Sequence, residues 1–254
     1  MPTRFVTFTA ACLTFLGITA HAAEVRTTQC SKHRHPEISF QVTNPAIPEE
    51  DRRWLVTSLE QMVASGSRFK AGQTLQLGWM LTLFEKGPDG TLRLQEPDMQ
   101  AIPIKFVDSV DATLQTVRGH RDTVESFEGK LQALIPTLRQ SIIVPPDVAT
   151  VPGFSLVRDP AEEETESGWI MIGGETEPTE AQLSQYQLMS MYEFALRRPE
   201  LLHLLAMPPG TVIKLPAQGP RSYFLDDKLL TVRAGSFIDQ LDATLSRQRA
   251  GARL

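Results

Sequence analysis

The spacing of apolar residues changes its period between residues 49 and 94, and no other feature constrains the fold as tightly. Pro48 followed by Glu49, Glu50 and Asp51 reads as a helix start, because proline suits the first turn and acids there meet the positive end of the helix dipole. Leu55, Leu59, Met62 and Val63 then recur at helical spacing until Gly66 stops the pattern. From Leu75 the period falls to two. Leu75, Leu77, Trp79, Leu81 and Leu83 alternate with Gln76, Gly78, Met80, Thr82 and Phe84, which predicts a strand with one buried face. Gly87-Pro88-Asp89-Gly90 is turn chemistry, and Leu92 and Leu94 resume the alternation beyond it to make a hairpin.

Further along, Ser109 is placed to cap a second helix whose Val110, Leu114, Val117 and Val124 share one face. Leu131, Leu134 and Leu138 suggest a third helix leading to a strand at Ser141-Ile142-Ile143-Val144. Short strands are expected at 153–158 and 168–172. Thr179-Glu180-Ala181-Gln182 is a capping box that opens a long helix, largely buried because apolar residues from Leu183 to Leu196 surround most of it. A short helix from Glu200 to Ala206 ends at Pro208-Pro209-Gly210, further strands follow at Thr211 to Leu215 and Tyr223 to Val232, and a polar helix closes the chain. The sum is an α+β protein of two small domains, 23–138 and 139–254, each a short, mostly antiparallel sheet packed with helices.

The first residues differ from the rest. Arg4 precedes an uncharged, largely apolar run from Phe5 to Ala20, and Ala20-His21-Ala22 fits a signal-peptidase site, so residues 1–22 are read as a cleavable secretory signal and the mature protein as periplasmic. Four threonines interrupt that run, and no later segment approaches the roughly 20 apolar residues of a membrane span. Cys12 leaves with the signal and Cys30 remains alone, so no intramolecular disulfide forms and packing must supply the stability. A formal charge of -5 lacks the positive field that a nucleic-acid backbone requires.

Catalysis finds little support. The chain has no Gly-x-Ser-x-Gly, no His-Glu-x-x-His, no Gly-x-x-x-x-Gly-Lys and no dinucleotide fingerprint, so neither a catalytic residue nor a cofactor is expected. His120 reads as an exposed helix residue and His203 as a half-buried structural one. Cys30, His33 and His35 have ligand chemistry, but Cys-x-x-His-x-His has no fourth ligand at matched spacing and reads as a solvated segment near the new N-terminus. A periplasmic hydrolase with an unrecognised carboxylate site is the alternative that the many glutamates leave open.

The outstanding feature is electrostatic. No Lys or Arg occurs between Arg158 and Arg197, while Asp159, Glu162, Glu163, Glu164, Glu166, Glu175, Glu177, Glu180 and Glu193 are all acidic. Such a run can be a plain solvated face. Here Ser167-Gly168-Trp169 and Gly173-Gly174 are interleaved with the acids, and an aromatic anchor inside a charged rim is how protein interfaces concentrate binding energy. Trp169 is then an interface anchor or, on the competing reading, part of the core.

The same region carries a resemblance. Phe154 to Asp159, then Glu166-Ser167-Gly168-Trp169, Gly173-Gly174-Glu175, Arg198-Pro199-Glu200-Leu201 and the Leu-Leu-x-x-Pro-x-Gly segment Leu204 to Gly210 resemble, in that order, the immunity protein 33 domain family. The match covers roughly residues 140–230. It departs from the family pattern at Glu166, where Asp is usual, and at Gly174, inserted between Gly173 and Glu175; both changes keep the turn chemistry. The N-terminal Gly78-Trp79 and Glu96-Pro97-Asp98 also look like the region that accompanies this domain in some bacterial members. The resemblance implies a non-enzymatic immunity protein whose partner is a cognate bacterial toxin. Together with the signal, it implies a toxin active in the periplasm, of the kind delivered by type VI secretion. Its binding residues would be Asp159, Glu162, Glu163, Glu164, Glu166, Ser167, Trp169, Glu175 and Glu177.

Overall fold

A computed structural model describes residues 23–174 and 176–251; the expected signal at 1–22 and Glu175 lie outside them. The fold is α+β, built on two mixed sheets.

The first sheet comes from the strands β1 (Ala23–Arg26), β2 (Ile38–Val42), β3 (Thr74–Leu77), β4 (Met80–Lys86), β5 (Leu92–Pro97) and β6 (Phe106–Val107). Its order is β1-β2-β5-β4-β3, with β6 paired to β5. Only β2 and β5 run parallel. Helix α1 (Glu49–Ala64) begins after Pro48, and buries Leu55, Leu59 and Val63 against this sheet's Ile38, Phe40, Phe84 and Leu94. Gly66, at φ +104°, follows its C-terminus as the sequence indicates.

The strand expected from Leu75 to Leu83 is instead a tight hairpin. Gly78, at φ +59°, and Trp79 turn the chain between β3 and β4, so that Leu77 pairs with Met80. An uninterrupted strand would put those two on opposite faces; the turn puts them on one. The buried set in β4 is therefore Met80, Thr82 and Phe84, while Leu81 and Leu83 are half-exposed, because a one-residue change of phase exchanges the faces of a strand. The Gly87–Gly90 hairpin joins β4 to β5 as expected.

Helix α2 (Asp111–Glu125) follows, with the Ser109 hydroxyl accepting the Asp111 N–H at 3.0 Å. Its opening is also satisfied by Glu96, whose buried carboxylate accepts the Ala112 and Thr113 N–H groups at 3.1 and 2.7 Å. His120, expected to be exposed, is buried: it faces the 3-10 helix Pro199–Ala206, and its Nε2 lies 2.9 Å from the Leu202 carbonyl. The stretch from Leu131 to Leu138, expected to be helical, has no regular structure; Leu131 and Ile135 pack on the second core without a helix.

The second sheet contains β7 (Ser141–Val144), β8 (Phe154–Arg158), β9 (Glu166–Gly173), β10 (Gln187–Ser190), β11 (Thr211–Leu215), β12 (Ser222–Leu225) and β13 (Lys228–Leu229), in the order β10-β7-β9-β8-β11-β12-β13. Its one parallel pair is β7 with β9. The long helix expected from Thr179 is split. The Thr179–Gln182 capping box forms, but helix α3 (Glu180–Leu183) stops after one turn, Gln187–Ser190 becomes the edge strand, and helix α4 (Met191–Arg197) restarts with Ser190 capping Glu193 N–H. Apolar residues on every side of the expected helix were the warning: part of them serve a strand. Tyr223 to Val232 likewise divides into a hairpin at Asp226 and Asp227, both at positive φ. Helix α5 (Phe237–Gly251) ends the described chain.

One continuous core lies beneath the second sheet, and Trp79 and Met80 of the first hairpin belong to it. The halves are further tied where the Tyr192 hydroxyl lies 2.7 Å from the carbonyls of Asp98 and Ala101. No helix among the described residues is long and apolar enough to cross a membrane.

Candidate functional site

Strand β8 ends at Arg158, and the chain returns as β9 at Glu166; the acidic run is the connection between them. Asp159, Glu162, Glu163 and Glu164 are exposed and Glu166 half-exposed. The returning part of the connection is anchored by its backbone. Gln140 Nε2 donates to the carbonyls of Glu164 and Glu166 at 3.1 and 2.8 Å, and the Ser141 N–H donates to the Thr165 carbonyl at 2.9 Å. The Glu162 N–H donates to the Glu166 carboxylate at 3.3 Å. Backbone anchoring leaves the carboxylates pointing outward on a fixed frame, which lowers the ordering cost of binding through them.

None of these acids, nor Glu177, makes an ion pair among the described residues. Some acids elsewhere are compensated: Arg118 bridges Glu50 and Asp51, Arg93 pairs with Asp108, and within the run itself Glu193 pairs with Arg197. The β8–β9 connection thus brings five carboxylates, Asp159, Glu162, Glu163, Glu164 and Glu166, within eight residues with no ion pair among the described residues.

Glu177 stands apart. It follows the far end of β9, whose seven residue-to-residue steps at about 3.3 Å put Gly173 roughly 23 Å from Glu166. Glu175 is outside the described residues.

Ser167 and Trp169 are inside the protein. Trp169 is 1% exposed and packs in the core, its Nε1–H donating to the Leu205 carbonyl at 3.1 Å. Alternation along β9 decides this: Ser167, Trp169 and Met171 face the core while Glu166, Gly168 and Ile170 face out. The aromatic expected as an anchor is thus a core residue in the free protein. The Ser167 hydroxyl donates to the Ser141 carbonyl at 2.6 Å and holds β7 against β9. Arg158 is buried beside them with its guanidinium carbon 5.4 Å from the Trp169 ring centroid, and burial lowers its pKa to about 10.

Outside, the lining of a cleft of about 200 Å³ includes Asp159, Glu162 and Glu166 together with Ile143, Ile170 and Leu188. Carboxylates therefore meet exposed apolar side chains at this corner of the sheet. The apolar half was missed in the sequence because Ile143, Ile170 and Leu188 come from three separate strands.

This connection and the strands around it fall within residues 120–223, and those residues match the Imm33-like domain. Over that stretch the chain is similar to the Imm33-like domain family. No curated protein and no solved structure matches the chain. The Imm33-like region opens within α2 and ends in β12, so it spans the last turns of α2, the 3-10 helix beside them and most of the second sheet. Ser167 and Trp169, which help to carry the resemblance in the sequence, lie in its interior; the acids form its outer border.

The segment with Cys30, His33 and His35, expected to be solvated, is built into the first core. Cys30 is fully buried with its thiol 3.4 Å from the Thr27 hydroxyl, and burial raises its pKa. His35 uses both ring nitrogens: Nε2 accepts the Phe69 N–H at 2.9 Å, which leaves Nδ1 to donate to the Pro36 carbonyl at 2.7 Å. Among the described residues no group of His, Cys, Asp and Glu is arranged to hold a metal.

Proposed function

We propose that this protein is a periplasmic immunity protein that binds a cognate antibacterial toxin and occludes its active site, the toxin being a type VI secretion effector. The observation that carries the reading is the Imm33-like match together with a backbone-anchored β8–β9 connection that presents Asp159, Glu162, Glu163, Glu164 and Glu166 without an ion pair among the described residues. Uncompensated acids at the border of an interface raise the encounter rate with a basic partner and repel acidic ones. Ser167 and Trp169 act from below by holding β9 in place, and the exposed Glu177 follows the other end of that strand, with Glu175 retained as a binding residue on the sequence alone. The protein is a binder and has no catalytic function.

Export rests on residues 1–22. An inhibitor sent to the periplasm protects the cell only from a toxin that acts there, on peptidoglycan, membrane lipid or periplasmic protein.

The test is competition between sibling cells. Deleting the gene is expected to make cells sensitive to wild-type siblings, with protection restored by the full-length gene but not by one lacking codons 2–22. Purified mature protein is expected to form a complex with the product of the adjacent toxin-like gene. Undiminished survival of the deletion strain together with no complex would refute the reading.

A further inference from the structure

Five strands of the second sheet, β7, β8, β9, β11 and β12, place neighbouring apolar residues on opposite faces. Ile142 and Ile143, Trp169 and Ile170, Leu156 and Val157, Val212 and Ile213, and Tyr223 and Phe224 are adjacent in sequence, so one of each pair faces the core and the other faces out. The register aligns the outward members. Leu188 stands opposite Ile143, Ile143 beside Ile170, Ile170 opposite Val157, Val157 opposite Val212, Val212 opposite Phe224, and Phe224 opposite Leu229. The result is one unbroken apolar row, with one side chain from every strand of the sheet.

Strands are about 4.8 Å apart, so the row is roughly 29 Å long, about the width of the ~800 Å² that each partner buries in a standard protein interface. None of its members is buried, and none belongs to either core; Leu188 is 71% exposed, Leu229 68% and Ile143 39%. Ile170, Val157, Val212 and Phe224 between them are half-buried, with the Lys214 ammonium 5.4 Å from the Phe224 ring centroid, and a contiguous apolar row that stays partly exposed in this way is a candidate interaction surface.

We propose that this outer face of the sheet is the toxin-docking surface, and that it takes a toxin surface with an apolar centre and a border of Lys and Arg side chains. The proposal rests on the immunity reading above and adds where the toxin sits and what chemistry it presents. Charge identifies the occupant. The row runs into the cleft where Ile143, Ile170 and Leu188 meet Asp159, Glu162 and Glu166, so a partner seated on it must also meet those carboxylates. A basic border satisfies them. A second copy of this chain, with formal charge -5, brings more acid than base to the contact. The edges β10 and β13 have only four and two residues, too short for pairing with an added strand to dominate, so the face rather than the edge carries the contact.

The experiment measures binding of the purified mature chain to the adjacent gene's product by biolayer interferometry, with melting temperature as the folding control. Ile170→Arg and Val212→Arg are each expected to weaken binding about a hundredfold or more, chiefly through faster dissociation, as loss of a central contact does. Trp54→Arg, at an exposed aromatic on α1 (43% exposed), is expected to bind as wild type does. Carbene footprinting of the wild-type complex reads the same surface without mutation and is expected to protect β9, β11 and β12. Wild-type affinity in both arginine variants, or footprints confined to α1, α2 and α5, would overturn the docking surface and leave the immunity reading standing. No binding by the wild-type chain would overturn that reading and the surface with it. A mature chain that dimerises, and becomes monomeric in Val212→Arg, would show a second copy as the occupant and overturn the proposal.

Discussion

Arg158 and Trp169 face each other across β8 and β9, and both donate to one atom, the Leu205 carbonyl oxygen, at 3.2 and 3.1 Å. Arg158 also reaches the carbonyls of Leu134 and Met207. These are the carbonyls at the end of the 3-10 helix and in the irregular segment beside it, where no backbone partner is available in regular structure. Two side chains from one hairpin thus fasten a helix end and a loop to the sheet. Replacing Trp169 with Ala empties a fully packed site and is expected to cost ~3–5 kcal/mol, read as a lower melting temperature. Trp169→Phe keeps most of the volume and loses the hydrogen bond, at about 1 kcal/mol. Because the ring is buried, dissociation of a toxin complex is expected to be unchanged in Trp169→Phe; faster dissociation at an unchanged melting temperature would return Trp169 to the interface.

The acids of the β8–β9 connection act through the field. Reversing Glu162, Glu163 and Glu164 to Lys is expected to slow association with the toxin and flatten its salt dependence, while dissociation changes little, since exposed charges act over a Debye length of ~8 Å at physiological salt. Stopped-flow association at two salt concentrations is the measurement. The melting temperature should stay near that of wild type, because none of the three makes an ion pair.

Gly168 sets the spacing of that connection. It holds φ +75°, and a Cβ placed on it would lie 2.0 Å from the Asp159 carbonyl oxygen, an atom of the backbone that cannot swing aside. The Asp159 N–H in turn donates to the Gly168 carbonyl at 2.9 Å. Gly168→Ala is expected to destabilise the fold by about 2 kcal/mol or more and to displace Asp159, lowering melting temperature and association rate together. A variant with the wild-type melting temperature would contradict this geometry.

Buried His120 and half-buried His203 are expected to contribute to the acid limit. Burial lowers the pKa of His120 to about 4 and that of His203 to about 3, with the nearby Arg158 and Arg221 charges acting in the same direction. Against an unfolded value of 6.5, the unfolded chain therefore holds more protons from pH 6.5 down to those values. Stability is full above pH 6.5 and is lost as the pH falls toward 3. Urea denaturation from pH 7 to 4 is expected to show that decline, with a shallower slope in the variant His120→Gln, His203→Leu. An equal slope in the variant would assign the acid sensitivity to other groups.

Local interactions made part of the fold readable from the sequence. The start of α1 after Pro48, the Gly87–Gly90 turn, the Thr179–Gln182 capping box and the positions of β7, β8 and β11 follow from residues a few places apart, whose geometry hardly depends on the rest of the chain. The acids of 159–166 were visible for the same reason: a run with no basic residue keeps its charge wherever it sits, and the structure adds only that it lies exposed on a braced connection.

Tertiary structure decided which face each element turns inward and which elements exist where the pattern allows two. Leu81 and Leu83 lost the core to Met80, Thr82 and Phe84 because a two-residue turn reset the phase of β4. Leu188 and Met189 left a helix for an edge strand because pairing with Ile143 and Ile142 satisfies their backbone and buries Met189. Trp169 became core through the alternation of β9, and the apolar row exists only because registers align Leu188, Ile143, Ile170, Val157, Val212, Phe224 and Leu229, which are scattered over 87 positions from 143 to 229. Helix starts and turns depend on neighbours along the chain, whereas burial and register depend on strands that meet only after the chain has folded.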